Sequence, residues 1–429
     1  MESKIGQSIQ YGQLLLKNSE YRYTKVIQNT GGDTLELKNA SQSSTFEIPV
    51  VGFNLAKSSI NFTQVVPLNT TLTHKARAFR HTPPWSRIEL YTRGGTYLMD
   101  ITNFAHVYTA FGQRTKTIKD FEGNENGIVR KVDIGDFDIL EYVEGVESKD
   151  DGKSPPGPVP GIGDVTVKWK IPGRELYNTI MSLDKTLIVG EVLNLKITWN
   201  PAQHHGYWVD NTGANPVDIA TTSAVKISDL ALYLAQEVNP TVQRDLMDVI
   251  NNRGLSVLIP YIHSYKTSLG DGLGSHAISI RLSRGYGQSL ERVYTLFGTG
   301  AEEKNTRYDA VLADTTTSSF YSLLNSKRMQ EFDVSVANGD YDWMKVGEKK
   351  GRVVSLQPSN DSGLFAHSEN WCGDHLECAV RQENGGLSLE MEQKYDLYVN
   401  RSAGGPIHYY TAAVCQKQLV LGPGGIMVS

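Results

Sequence analysis

Cys372, His375 and Cys378 stand within one short stretch, and two thiolates with an imidazole are ligands that zinc accepts. The chemistry is incomplete, however. The spacing C-x5-C is unusual for a zinc site and a fourth ligand must come from elsewhere, so two ordinary thiols in a loop are the better reading. His204 and His205 are a second candidate pair. Adjacent side chains on a strand point to opposite faces, which favours a loop pair over a shared metal. Gly270, Gly272 and Gly274 lie in a glycine-rich piece, but no helix opens there after a strand, so it is no phosphate cradle. Gly422 to Gly425 reads as a flexible C-terminal tail. The sequence holds no G-x-S-x-G, no H-E-x-x-H and no P-loop. No pair of Asp or Glu residues stands out as acid and base. We therefore assign no catalytic, cofactor-binding or metal-binding residue, and expect no enzyme.

Bulk composition points the same way. The chain has 429 residues, too many for one ordinary domain. It carries 42 basic and 47 acidic side chains, a net charge of −5 that argues against wholesale nucleic-acid binding. With 40 Gly, 16 Pro and 21 Tyr, it has the make-up of an all-β protein with many turns. Cys372, Cys378 and Cys415 are too few for a disulfide scaffold, and the odd count fits a reducing site of folding. MESKIGQSIQYGQLLL lacks the basic and apolar regions of a signal peptide. No apolar run approaches the ~20 residues needed to span a bilayer. Sequons such as Asn61-Phe62-Thr63 then read as chance.

The elements that position these residues are mostly strands. Alternating segments run at Tyr23–Gln28, Thr45–Val50, Ser59–Gln64, Arg87–Tyr91, Thr96–Met99 and Phe137–Glu141 in the first half. In the second half they run at Ile227–Ala235, Leu255–Ile262, His276–Leu282, Arg292–Phe297, Glu331–Val336, Leu387–Glu392 and Tyr409–Leu421. Many short strands between turn signals argue for sandwiches or jelly rolls. Gly145 to Asp164 pairs a charged half with a Pro- and Gly-dense half, the composition of an exposed loop. A polar stretch from Gly206 to Thr222 is the expected junction between two halves. One helix is well marked: Asn239 as N-cap, Pro240 at N1, Gly254 past the end, and Val242, Leu246, Val249 and Ile250 as its apolar stripe. Ser318 to Gln330 is a weaker helical candidate.

Val165 to Asn200 is the most specific stretch. VTVKWKI alternates as a half-buried strand, and Pro172-Gly173 stops it. Leu176, Ile180, Met181 and Leu183 recur at helical spacing, and VLNLKITW alternates again. This order resembles the F–helix–G segment of the double jelly-roll major capsid proteins, which build tailless icosahedral virus shells and those of related mobile elements. Ser86 to Ile101 is similar to the family's Gly-Gly hairpin, with Gly94 and Gly95 free to take positive φ. Lys226 to Pro240 is similar to the strand that opens the second jelly roll. Gly254 to Leu269 and His276 to Phe297 are similar to its paired strands and tower-side loop.

The resemblance implies two antiparallel eight-stranded jelly rolls side by side, with a few short helices and long loops. Residues 1–215 would form an N-terminal arm and the first jelly roll, carrying the insertion loop 145–164. Residues 216–429 would form the second, with extended loops and a C-terminal tail. It further implies homotrimers of pseudo-hexagonal outline that tile a virion capsid and are assembled inside the host cell. Implied partners are neighbouring capsomers, penton and minor capsid proteins and an internal membrane, without sequence-specific nucleic acid. Trp169, Ile171, Leu193, Leu195, Ile197 and Trp199 would face inward or lie between the jelly rolls. The competing reading is a carbohydrate-binding or carbohydrate-cleaving β-sandwich, in which Trp85, Trp169, Trp199, Trp208, Trp343 and Trp371 would line a sugar cleft.

Overall fold

The structure is a computed structural model. It describes residues 19–29, 34–38, 41–67, 74–78, 83–108, 128–129, 138–143, 164–210, 216–220, 223–270, 272–300, 317–335, 366–371, 386–402, 407–423 and 425–429. Cys372, His375, Cys378, Trp343 and the insertion from 145 to 163 lie outside the described residues.

Sixteen strands make up two sandwiches of eight. The first uses β1 (Tyr21–Ile27), β2 (Ser43–Ile48), β3 (Gly52–Val66), β4 (Trp85–Thr92), β5 (Tyr97–Thr102), β6 (Val165–Pro172), β7 (Leu193–Trp199) and β8 (Val225–Glu237). The second uses β9 (Leu255–Leu269), β10 (Gly274–Leu282), β11 (Ser289–Gly300), β12 (Thr317–Leu324), β13 (Lys327–Arg328), β14 (Ala366–Asn370), β15 (Gln393–Arg401) and β16 (Ile407–Gly422). One sheet of the first sandwich runs β1-β8-β3-β6 and the other β2-β7-β4-β5. In the second sandwich the orders are β9-β16-β11-β14 and β10-β15-β12-β13. Adding eight to each strand of the first sandwich reproduces the second, so the chain is an internal duplication of one topology. All ladders in the sandwiches are antiparallel, and the order is that of a jelly roll. Short additional strands extend the sheets, and His74–Ala78, Gly206–Asp210 and Pro216–Asp218 form a small sheet of their own.

The alternation read from the sequence is the alternation of burial. Val165, Val167, Trp169 and Ile171 of β6 are buried while Lys168 is exposed, and Leu193, Leu195, Ile197 and Trp199 of β7 are buried in turn. These side chains meet in an aromatic centre. Phe62 stacks on Trp169 at 5.8 Å and meets the Trp199 edge at 5.0 Å, and Trp85 lies 6.1 Å from Trp199. Two of these three indoles have their N–H groups satisfied, while Trp85 Nε1 is buried without a partner among the described residues. Trp169 Nε1 donates to Gln64 Oε1 at 3.0 Å and Trp199 Nε1 donates to Ser44 Oγ at 3.1 Å. The second core holds Ile278, Ile280, Leu282, Phe320, Tyr395, Leu397, Val399 and Tyr409 between its two sheets.

Several expectations are corrected. The short helix expected between the two strands is present only as two 3-10 turns, Gly173–Glu175 and Ile180–Ser182, and not as an α-helix. Asn178 at φ 60° breaks the turn series between them, and the Thr179 side chain caps the second turn. The strands bracketing it are the sixth and seventh of their jelly roll, in opposite sheets, and so G and H rather than F and G. Lys226 to Pro240 does not open the second jelly roll. β8 is the last strand of the first, paired with β1 from Tyr21↔Glu237 to Ile27↔Ala231 and with β3 on its other side. The division expected at 215/216 would thus cut β8 from the sheet that holds it. Ser318 to Gln330 is a hairpin, β12 to β13, turned by Asn325 (φ 50°) and Ser326 (φ 67°). The expected C-terminal tail is also a hairpin: Gly425–Val428 pairs back on β16, from Leu419↔Val428 to Gly422↔Gly425. The helix α1 (Pro240–Arg253) stands as expected, with Asn239 accepting from Thr241 N at 2.9 Å. No helix of the described residues is long and apolar enough to cross a membrane.

Candidate functional site at the seam between the sandwiches

None of the described residues singled out for chemistry forms a reactive centre. His205 is fully buried in the first core, its Nε2 on Asn200 O at 2.9 Å while its backbone carbonyl accepts from Gln64 Nε2 at 3.0 Å. Burial lowers its pKa to about 3 and that of His204 to about 4. Cys415 is buried in the second core, where desolvation pushes its thiol up to about 12, so it is an inert apolar filler. Gly274 (φ 102°) serves the turn into β10. Among the described residues no group of three or more His, Cys, Asp or Glu side chains could hold a metal ion. Trp85, Trp169, Trp199 and Trp208 are buried, and Trp371 packs on the second core, 6.2 Å from Tyr395. The described tryptophans therefore form no exposed aromatic platform.

What the fold does assemble is a contact between its two halves. β11 shows how: Val293 belongs to the second core, while its neighbour Tyr294 turns the other way into the first. In β16, Tyr409 and Ala413 fill the second core, whereas Tyr410, Ala412 and Val414 face the first sandwich. A strand buried on both faces reads as a near-continuous apolar run, and IHYYTAAVC supplies one interrupted only by His408 and Thr411. Against this face lie β5 and residues 104–108. Thr102 N donates to Ser264 Oγ at 3.0 Å and the two hydroxyls are 2.8 Å apart. His106, on the helical turn after β5, stacks on Tyr410 with ring centres 3.8 Å apart and planes 12° apart. Desolvation by burial, then His204, Lys266 and His408, hold His106 well below the ordinary histidine value.

Charged groups near the seam are matched. Arg87 donates to Asp100 through Nε and Nη2, both at 2.7 Å, and also lies 3.2 Å from Glu89. The hydrogen bond to Asp100 raises the guanidinium further above its usual value, fixing it as a cation. Lys196 reaches Glu89 at 3.4 Å. Lys417 sits 3.8 Å over the Tyr261 ring, and burial lifts the Tyr261 hydroxyl to about 12. His263 Nε2 meets Tyr286 O at 2.8 Å, with its pKa lowered to about 4 by burial. Each of these carboxylates lies against a cation. The seam fixes one sandwich against the other.

A second surface is open. The outer face of β1-β8-β3-β6 carries a groove of about 630 Å³. Small residues floor it, Ala56, Ser58, Ser59 and Asn61 of β3, and Tyr23, Tyr233, Lys57, Lys170, Arg174 and Asp184 wall it. Tyr23 is 61% exposed. No residue of this groove or of the seam was named from the sequence as a candidate site. The near-continuous apolar run of β16 was the available signal.

No family model matches the chain, and no curated protein matches it in sequence. Solved structures do match. The chain is similar to the PBCV-1 virus capsid protein of a quasi-atomic capsid model, with a TM-score of 0.60, 10% identity and 96% of this chain and 97% of that one covered. PBCV-1 VP54, fitted into a reconstruction of the virophage Sputnik, gives 0.56 at 10% identity over 96% and 97%. The mavirus major capsid protein gives 0.51 at 7% identity over 95% and 90%. At such identities the likeness establishes architecture: over almost its whole length the chain has the double jelly-roll fold of these viral major capsid proteins.

Proposed function

We propose that the protein is a major capsid protein, a structural subunit that forms homotrimers of pseudo-hexagonal outline and tiles an icosahedral virion shell. The observation that carries this reading is the duplication: two sandwiches of one strand order, held as a block by a buried seam. Two like units per chain and three chains make six like units around one axis. Contacts between such rings then extend the shell. The two units divide after Glu237, with α1 as the connection. The partners in this reading are further copies of the chain, with penton and minor capsid proteins at the vertices and an internal membrane beneath. The site of action is the virion, after assembly inside the host cell. Sedimentation equilibrium at micromolar concentration tests the reading. A mass of about three times 47.5 kDa supports it. A stable monomer sinks it.

A further inference from the structure

Within one chain, β5 and residues 104–108 of the first sandwich cover the outer face of β9-β16-β11 of the second. The duplication gives every part of that contact a counterpart. The counterpart of the covered face is the outer face of β1-β8-β3-β6, which carries the groove walled by Tyr23, Tyr233, Lys57, Lys170 and Arg174. That of β5 is β13, the edge strand of β10-β15-β12-β13.

β13 carries a bulge where β5 carries its helical turn. Met329 N still donates to Ser322 O of β12 at 3.0 Å; beyond it the chain leaves the edge and pairs again at Val334–Ser335, opposite Ser319 and Phe320. The bulge between them holds Met329, 38% exposed, and Phe332, 55% exposed. In the first sandwich the residues after β5 include Phe104, His106, Val107 and Tyr108, all buried. Among the described residues the second sandwich thus shows an apolar knob without cover, and the first a groove without an occupant.

We infer that Met329 to Asp333 of one copy docks in the groove of the next copy, repeating between chains the contact that joins the two sandwiches within one. The inference rests on the trimeric reading above and specifies which faces meet. Such a contact is heterologous, and it closes after three chains if each step turns by a sixth of a circle. Charge agrees with it. Arg328 pairs with Asp333 in its own chain, which leaves exposed Glu331 beside the knob. In the groove Lys57 lies 3.8 Å from Asp184 and Arg174 pairs with its neighbour Glu175 at 3.0 Å, which leaves Lys170 as the cation to meet Glu331. Tyr23 and Tyr233 offer aromatic surface for Phe332.

The test uses the full chain with a photocrosslinking phenylalanine analogue at position 332, purified as an equal mixture of light and 15N-labelled subunits. Irradiation should give mixed-isotope crosslinks to peptides holding Tyr23, residues 56–61 or residues 170–174. In parallel, Phe332→Ser should leave the melting temperature of the subunit within about 2 °C, because the side chain is half exposed. It should raise the trimer dissociation constant about ten- to a hundredfold, the loss expected when a phenylalanine leaves an interface. A trimer whose position 332 crosslinks elsewhere, or whose dissociation is unchanged in Phe332→Ser, overturns this docking and leaves the trimer standing. A chain that is monomeric before any substitution overturns both.

Discussion

Replacing Trp199 with alanine probes the centre of the first sandwich. The indole is fully buried, 5.0 Å from Phe62 edge-on and 6.1 Å from Trp85, and it donates to Ser44 Oγ. Removing a buried tryptophan costs about 3–5 kcal/mol through lost burial and the cavity left behind. Ser44 is itself fully buried and would lose a partner, adding about 1 kcal/mol or more. The sum approaches the whole stability of a marginal domain, ~5–15 kcal/mol. For a sandwich of this size each kcal/mol moves the melting temperature by about 2–4 °C, so a fall of roughly 8–24 °C is expected. Trp199→Phe, which keeps most of the ring contact but not the N–H, should cost much less. Thermal unfolding and sizing of the three proteins read this directly. A Trp199→Ala protein that melts within 2 °C of the parent would refute the packing argument. If it had lost only sugar binding, the carbohydrate reading would stand instead.

Three further outcomes follow from the same geometry. His205 (about 3), His204 and His263 (about 4 each) and His106 titrate in the folded state below the free histidine value of 6.5. The unfolded chain therefore binds more protons on acidification, and stability should be full above about pH 6.5 and fall progressively from there towards pH 4 in urea titrations; a flat profile across that window would contradict the burial of these rings. Gly173→Ala should strongly destabilise the chain, because a Cβ there would lie 2.0 Å from the Leu55 carbonyl oxygen, and a variant of unchanged melting temperature would show that the turn after β6 is misplaced. Thr102→Val combined with Ser264→Ala removes the hydroxyl pair at the seam, and should raise hydrogen exchange along β5 and β9 while leaving the Trp199 fluorescence unchanged.

Much of the fold was legible in the sequence because burial on one face of a sheet imposes a period of two. β6, β7 and β4-β5 show this pattern, and Gly95 takes the positive φ (89°) that the Arg93–Thr96 turn demands. The helix α1 was equally readable, since its cap, its proline and its stripe agree. Misreadings arose where two periods coincide. Phe320 and Leu324 are spaced four apart, which suits a helix face and a strand face alike, and only the backbone of Asn325 and Ser326 decides for the hairpin. The place of β8 was not legible for a different reason. Its partner β1 is about 200 residues away, and pairing over such a distance leaves no local trace. The seam was equally hidden, because Thr102, His106, Ser264 and Tyr410 are individually unremarkable and acquire a role only when the two sandwiches meet.

The central claim is that two like sandwiches per chain become six around one axis. Electron-microscope class averages of the purified full chain test it most directly. The particles should show threefold symmetry, a hexagonal outline and six lobes of similar size. Two-lobed single chains, or twofold dimers, would contradict it.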